Sequence, residues 1–96
     1  MTVIETRPFT DWMASLKDLK TRARIAERLR RVAISGSFGD SKDIGDGVGE
    51  LRFRFGPGYR VYFCRRGSDV VILLGGGAKG SQSRDIKAAK ALAREV

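Results

Sequence analysis

The residues with the clearest chemical potential are three arginines on a predicted β-hairpin. Residues 51–55 and 59–64 alternate between apolar and polar side chains on either side of a glycine-rich turn, which is typical of two paired antiparallel strands. The polar face of this hairpin carries Arg52, Arg54 and Arg60. Guanidinium groups bind pairs of phosphate oxygens, so the pattern indicates a phosphodiester ligand.

The length of the turn sets which of these side chains face each other. If the turn is confined to residues 56–58, Arg54 faces Arg60. Arg52 then faces Tyr62, so that three guanidiniums and a phenol share one surface. Like charges directly opposite each other destabilise a sheet by roughly 0.2–1 kcal/mol, which favours a bound anion. The alternative is a solvated arginine face with no ligand.

A second basic group follows a predicted buried strand, in the glycine-rich residues 75–81. Backbone N–H groups in such a loop can bind phosphate, but the phosphate-loop motif needs Ser or Thr directly after its lysine. Here Gly80 follows Lys79, so we predict no nucleoside triphosphate site. The loop can instead direct Lys79 and Gln82 across the neighbouring hairpin toward Arg60, or it is an ordinary surface loop.

Composition excludes several classes of site. The 96 residues include one cysteine, Cys64, and no histidine. An intramolecular disulfide, a Cys/His zinc site and a Ser-His or Cys-His nucleophile are therefore excluded, and we expect neither a metal nor a cofactor. The net charge of +8 attracts nucleic acid or an acidic protein.

The length and the hydropathy pattern indicate one domain, residues 1–96. No run approaches the roughly 18 apolar residues of a transmembrane helix, and the first residues are too polar for a signal peptide. We therefore expect a cytoplasmic protein with no membrane partner.

Two helices are predicted before the hairpin. Residues 2–6 are rich in β-branched side chains and predict a first strand. Apolar residues at spacings of three and four then predict helices over residues 9–19 and 21–35, which should form a helical hairpin. Residues 36–49 hold five glycines and three aspartates, which predicts a loop.

Two further elements follow the hairpin. The apolar run within residues 69–74 predicts a buried strand, and Ser81 or Ser83 can cap a last helix. The predicted order is therefore β-α-α-β-β-β-α, an α+β fold.

Several motifs, in this order, resemble the Gp49/HigB-type killer proteins of addiction modules, within the RelE/ParE toxin superfamily. The matching segments are residues 39–42, 47–52, 56–63 and 73–89. Their most specific pieces are Gly-Pro-Gly-Tyr-Arg and Lys-x-x-Gln-x-x-Asp-Ile. The resemblance implies a RelE-like fold, in which a twisted, mainly antiparallel sheet packs against an N-terminal helical hairpin and a C-terminal helix follows.

The resemblance also implies a function. Members are type II toxins that cleave mRNA, usually on the ribosome, and are neutralised by a small cognate antitoxin; we expect a helix-turn-helix protein in that role. Superfamily ribonucleases hold basic residues around the scissile phosphate, which matches Arg52, Arg54 and Arg60, and another after the last central strand, which matches Lys79. We assign catalysis to Arg60, Arg52 and Lys79, with Asp85 as a further candidate base.

The remaining polar side chains of the predicted site are candidates for RNA binding. They are Arg54, Tyr62, Gln82 and Lys42. Some members of the superfamily place a tyrosine near the attacked hydroxyl, but the last helix here has none, so the general base stays open. The alternatives are a ParE-like toxin directed at gyrase and an RNA-binding module without chemistry. The arginines of residues 20–34 are interpreted as a solvated helix face.

Overall fold

The structure is a computed structural model that describes all 96 residues. Its elements in chain order are β1 (Thr2–Glu5), α1 (Arg7–Ser15), α2 (Leu19–Ser35), β2 (Ser41–Asp43), β3 (Val48–Arg52), β4 (Arg60–Arg66), β5 (Val70–Gly77), a 3-10 turn (Lys79–Ser81) and α3 (Gln82–Ala93). The predicted mixture of helices and strands is confirmed, with one more strand than expected.

The strands form a single five-stranded sheet in the order β1-β5-β4-β3-β2. β1 runs parallel to β5, and every other neighbouring pair is antiparallel. The predicted mainly antiparallel sheet is therefore confirmed. α1 and α2 cover one face of this sheet, and α3 covers the other.

The face beneath α1 and α2 carries the larger apolar core. Strand residues that point toward this face, such as Leu51, Val61 and Leu73, pack against Phe9 of α1 and Ile25 of α2. Strands alternate their side chains with a period of two, so every second residue reaches this core. Burying each such side chain contributes roughly 1.5–3 kcal/mol, which fixes the register of the sheet.

The opposite face packs against α3. The buried residues there include Tyr62, Cys64 and Ile72 from the sheet and Ala89 and Ala93 from α3. Small alanine side chains let the helix lie close to the strands. α3 therefore covers part of the polar face of the hairpin, while Arg54 on that face stays exposed.

The N-terminal helices have different boundaries from those predicted. α1 begins at Arg7, with Pro8 in its first turn, and ends at Ser15 rather than at residue 19. The early end follows from Asp18, whose side chain accepts a hydrogen bond from the Lys20 backbone N–H and caps α2. An N-capping aspartate satisfies a backbone donor that the helix leaves free, so α2 starts at once after it.

The hairpin has a wider turn than predicted. β3 ends at Arg52 rather than at residue 55, and the Phe53 N–H donates to the Tyr59 carbonyl at 2.9 Å. Arg52 therefore pairs with Arg60, not with Tyr62. The alternating pattern continues into the turn, because Phe53 is still buried after the strand has ended.

The predicted loop over residues 36–49 is also partly wrong. Residues Ser41–Asp43 form the edge strand β2, and β3 already begins at Val48. All three β2 side chains are exposed. Backbone hydrogen bonds to β3 hold this strand without any buried side chain, so its sequence carries no hydropathy signal.

None of the three helices has the length and apolar composition that crossing a membrane requires.

Candidate functional site

The candidate site lies where β3, β4 and β5 meet the start of α3. The pairing places Arg52 beside Arg60, and Arg60 beside Gly77 at the end of β5. The 3-10 turn and the first turn of α3 follow Gly77 directly. The fold thus brings Gln82 and Asp85 to the strand that carries Arg60.

A buried carboxylate lies at the centre of this site. The Glu50 side chain is 2% exposed, and the Arg60 side chain 16%. Arg60 Nη1 lies 3.5 Å from Glu50 Oε2. Gln82 Nε2 donates to Glu50 Oε1 at 3.0 Å. Glu50 therefore links α3 to the strand pair through both of its oxygens.

Arg60 keeps unused hydrogen-bonding capacity. Its Nε is buried and has no hydrogen-bond partner. A buried donor without an acceptor costs about 1–3 kcal/mol, so a small shift of the partly exposed Arg60 side chain that brings this nitrogen to an external acceptor is favoured.

Tyr62 lies beneath the site and not at its surface. Its side chain is fully buried, and its hydroxyl has no hydrogen-bond partner. Burial, followed by the negative charges of Glu50 and Asp85, raises the pKa of Tyr62 to about 12, while Arg60 acts in the opposite direction. The prediction of an exposed, RNA-binding phenol is wrong, because α3 and the neighbouring strands cover this side chain.

Arg52 and Arg54 share one acidic partner. Asp40 Oδ1 lies 2.9 Å from Arg52 Nη2, and its Oδ2 lies 2.7 Å from Arg54 Nε. The hydrogen bond from Arg54 lowers the pKa of Asp40 most, burial opposes this shift, and the hydrogen bond from Arg52 and the charges of both arginines lower the pKa further. The predicted contact between Arg54 and Arg60 does not occur, since Arg54 lies beyond β3 and turns toward Asp40.

The other predicted residues surround this centre. Lys79 is exposed in the 3-10 turn, with its stem beside Gly58 of the β3–β4 turn. Asp85 accepts a hydrogen bond from the Ser81 hydroxyl and packs against the backbone of Gly77. Lys42 lies in the edge strand β2, opposite Glu50 in the register.

The sequence reasoning missed the two carboxylates that hold the arginines. Asp40 lies in the predicted loop over residues 36–49 and Glu50 directly follows that loop, and neither was assigned a role. A signal was present for Glu50, because it stands two residues before Arg52 and a strand places such residues on one face. Asp40 gave no comparable signal, because its contacts depend on the unpredicted strand β2.

The structure contains no group of three or more His, Cys, Asp and Glu side chains that could hold a metal ion. Most polar groups of the site are hydrogen-bond donors, namely guanidinium, ammonium and amide groups. Carboxylates lie between them and act as acceptors. Such a set can bind a phosphate group and place proton donors and acceptors near it.

The fold belongs to the RelE type. The chain is similar to the E. coli toxin RelE, solved as a free double arginine mutant, with a TM-score of 0.72, 18% identity and 92% of each chain covered. It is also similar to a chain of the intact E. coli RelBE toxin–antitoxin complex, with a TM-score of 0.66 and 18% identity over 80% of this chain and 94% of that one. At this identity the likeness defines the fold.

The sequence places the chain in a family. Residues 11–95 match the model of the phage-derived Gp49-like proteins (DUF891), and the chain belongs to that family. An uncharacterized protein of Haemophilus influenzae is 46% identical over 91 residues, which are 95% of this chain and 91% of that protein.

Proposed function

We propose that this protein is the toxin of a type II toxin–antitoxin pair and that it cleaves mRNA, on the ribosome, as a metal-independent endoribonuclease. Membership of the Gp49-like family and the RelE-type fold support the toxin part of the proposal. The arrangement of basic side chains around Arg60 supports the ribonuclease part.

One observation carries the ribonuclease proposal. Arg60 is held by a buried carboxylate, yet its Nε has no partner. Arg52 pairs with it across the strands. Two arginines at paired positions of neighbouring strands, each with N–H groups that have no partner in the chain, suit a phosphodiester that enters from solvent, since each guanidinium can bind two phosphate oxygens.

The chemistry requires no group from outside the RNA and the protein. The ribose 2′-oxygen attacks the adjacent phosphorus, the bond to the 5′-oxygen breaks, and the products are a 2′,3′-cyclic phosphate and a 5′-hydroxyl. Arg60 and Arg52 stabilise the charge that develops on the phosphoryl oxygens. Removing one such donor typically costs about 3–4 kcal/mol in the transition state.

Two protons must move during this step. In the proposal Asp85 accepts the proton of the 2′-hydroxyl, and Lys79 donates one to the departing 5′-oxygen. The Ser81 hydroxyl orients the Asp85 carboxylate. Placement of the RNA by the ribosome contributes orientation, which can itself supply much of a rate enhancement.

Three side chains are proposed to bind RNA around the cleavage position. Arg54 and Lys42 are exposed and present their charges to solvent. Gln82 is partly exposed and already donates to Glu50, so its amide can contact RNA only beside that bond. Tyr62 is not included, and supports the site from within.

The proposal also names the partners. A cognate antitoxin, expected to be a small helix-turn-helix protein encoded beside this gene, would neutralise the toxin. The crystal structure of RelBE is that of a toxin–antitoxin complex, which supports a partner of this kind. Translation takes place in the cytoplasm, and the proposal places the protein there.

The test is cleavage of RNA whose ribose is altered at one position. After induction, cut sites are mapped on transcripts, and a synthetic RNA with the main site is translated in a cell-free system. We expect 2′,3′-cyclic or 3′-phosphate ends, and no cleavage when that ribose carries 2′-H or 2′-methoxy. Intact transcripts with blocked DNA supercoiling would instead select a gyrase-directed toxin, and binding without cleavage would select an RNA-binding module.

A further inference from the structure

A second basic surface lies between α2 and the β3–β4 turn. It is a cleft of about 210 Å³. Four arginines and two phenylalanines line it, namely Arg24, Arg28, Arg31, Arg54, Phe53 and Phe55. This surface, here called the arginine cleft, includes α2 residues that the sequence assigns to a solvated helix face.

Aromatic rings orient two of the arginines of the arginine cleft. The Arg24 guanidinium lies 3.8 Å from the centre of the Phe55 ring, and that of Arg28 lies 4.8 Å from the centre of Phe53. A guanidinium stacked on a ring is held in one plane while its N–H groups stay free at the edge. Stacking therefore prepares Arg24 for a bidentate anion.

Arg28 has a structural role in the cleft, because its guanidinium holds neighbouring backbone segments together. Its guanidinium donates to the carbonyls of Phe38, Asp40 and Arg52. Burial lowers the pKa of Arg28, as does the nearby Arg31 to a smaller extent, although Asp40 opposes the shift. This partly buried cation adds positive potential to the cleft, but most of its N–H groups already donate within the chain.

Arg24 and Arg31 have no acidic partner. The ion pairs of the structure involve neither residue. Both flank Arg28 on one face of α2, at spacings of four and three, where like charges destabilise a helix. The acids around them have other partners, because Glu27 pairs with Arg30 and Asp40 pairs with Arg52 and Arg54. The charges of Arg24 and Arg31 are therefore not compensated by an ion pair.

Arg54 connects the arginine cleft with the arginines of the candidate site. Arg54 lines the cleft and shares Asp40 with Arg52, which pairs in turn with Arg60. A chain of regularly spaced phosphates that starts at Arg60 can therefore follow guanidiniums into the cleft.

We infer that the arginine cleft binds the backbone phosphates of single-stranded RNA outside the cleavage position, through Arg24 and Arg31. The identity of the polyanion as RNA rests on the proposed function. The cleft contributes affinity without base selection, because phosphate contacts carry no sequence information. The solvated-face interpretation is replaced by a binding role for these two arginines.

The experiment compares RNA binding by two charge-matched variants. Arg24→Gln/Arg31→Gln removes both unpartnered charges but keeps much of each side-chain stem. Arg30→Gln/Lys87→Gln removes two exposed charges from outside the cleft, and Arg30 pairs with Glu27 on another face of α2. The probe is a fluorescent 12-nucleotide RNA of mixed sequence, 2′-methoxy throughout, whose binding to the full chain is measured by anisotropy between 50 and 300 mM KCl.

We expect the cleft variant to bind several-fold more weakly at low salt than the control variant. Its plot of log affinity against log salt should be shallower by about 1.4, because each single-strand phosphate contact contributes about 0.7. Equal affinities and slopes for the two variants would overturn the inference. So would unchanged RNA binding with weakened antitoxin binding, which would assign the cleft to a protein partner.

The outcome does not depend on cleavage. A 2′-methoxy RNA cannot be cut by the proposed chemistry, so this assay reports binding alone. If transcripts stay intact after induction while the cleft variant still loses affinity, the proposed function fails and the RNA-binding cleft stands. Circular dichroism melting of both variants verifies the fold, and both should melt close to the wild type because the substituted residues are exposed.

Discussion

The Glu50 carboxylate and the Arg60 guanidinium form a nearly buried ion pair, with 3.5 Å between Oε2 and Nη1. Two buried charges stabilise a fold little when they are paired, but each is costly when its partner is removed. This pair therefore fixes the position of Arg60 more than it adds to stability. A second bond from Gln82 to Glu50 extends the same restraint to the start of α3.

Arg60→Ala should abolish growth arrest and RNA cleavage, and it should also destabilise the fold. The substitution leaves Glu50 buried without its cation, which for buried pairs costs roughly 3–5 kcal/mol. Urea unfolding and an induction assay measure the two effects. The double variant Arg60→Ala/Glu50→Gln separates them: it should recover much of the stability and none of the cleavage. Cleavage by this double variant would remove Arg60 from the mechanism.

Glu50→Gln should slow cleavage with little change in RNA affinity. The amide keeps the shape of the side chain and can still accept from Gln82, but it no longer holds the Arg60 charge. A misplacement of about 1 Å can cost about 10²-fold in rate, and we expect a loss of that order in single-turnover cleavage. Binding of 2′-methoxy RNA is the second readout. Equal losses in rate and affinity would contradict a positioning role.

Asp40→Asn should change the response of stability to acid. The pKa of Asp40 is lowered in the folded state by Arg54 and Arg52. Ionised Asp40 therefore contributes its full stabilisation above the ordinary pKa of a carboxyl group. This stabilisation is lost as the pH falls through the lower pKa of Asp40 in the folded state. Urea midpoints should fall more between about pH 5 and about pH 2 for the wild type than for this variant.

The control for that comparison is Asp69→Asn, which alters an exposed carboxylate outside the ion pairs. It should follow the wild-type acid response. Parallel curves for Asp40→Asn and the wild type would show that the pairing with Arg52 and Arg54 has no effect on stability.

Arg28→Ala should be more destabilising than any other single loss of an arginine from α2. Three carbonyls from the loop before β2 and from the end of β3 lose their donor. Hydrogen bonds to a charged group contribute about 1.5–3 kcal/mol each, so we expect a loss of about 3 kcal/mol after relaxation. Arg30→Ala, at an exposed position, should stay within about 0.5 kcal/mol of the wild type. Urea unfolding of both variants gives the comparison.

The elements with strong hydropathy patterns were predictable. α2 shows its apolar stripe in Ile25, Leu29 and Val32, all of which are buried. β4 and the apolar part of β5 were also found. β2 could not be found, because a strand with three exposed side chains has no pattern to detect.

The candidate site was predictable in its cations but not in its anions. Alternation correctly placed Arg52 and Arg60 on one face of neighbouring strands. It could not show that α3 would cover Tyr62 or that Asp40 would reach Arg54, because both contacts join segments distant in sequence. The extra width of the turn displaced Arg54, since the alternation continued through Phe53 and Phe55 after the ladder had ended.

The glycines that end β5 lead to the last prediction. The run from Gly75 to Gly77 invites a phosphate-loop interpretation, yet these residues continue β5 beside Arg60 and Tyr62. Gly77 lies against Asp85, and a β-carbon at Gly77 would overlap that carboxylate. Gly75 has nothing within 4 Å of the corresponding position. The two positions are therefore a matched pair for the same substitution.

Gly77→Ala should destabilise the protein by about 1–3 kcal/mol, the usual cost of an added methyl group in a packed site. It should also displace the first turn of α3, and with it Asp85 and Gln82. Gly75→Ala should be neutral or stabilise by about 0.4–1 kcal/mol, because alanine restricts the unfolded chain. Thermal melting and RNA cleavage measure the pair. If Gly77→Ala keeps both wild-type stability and wild-type cleavage, the close packing of α3 on the end of β5 is not needed for the site.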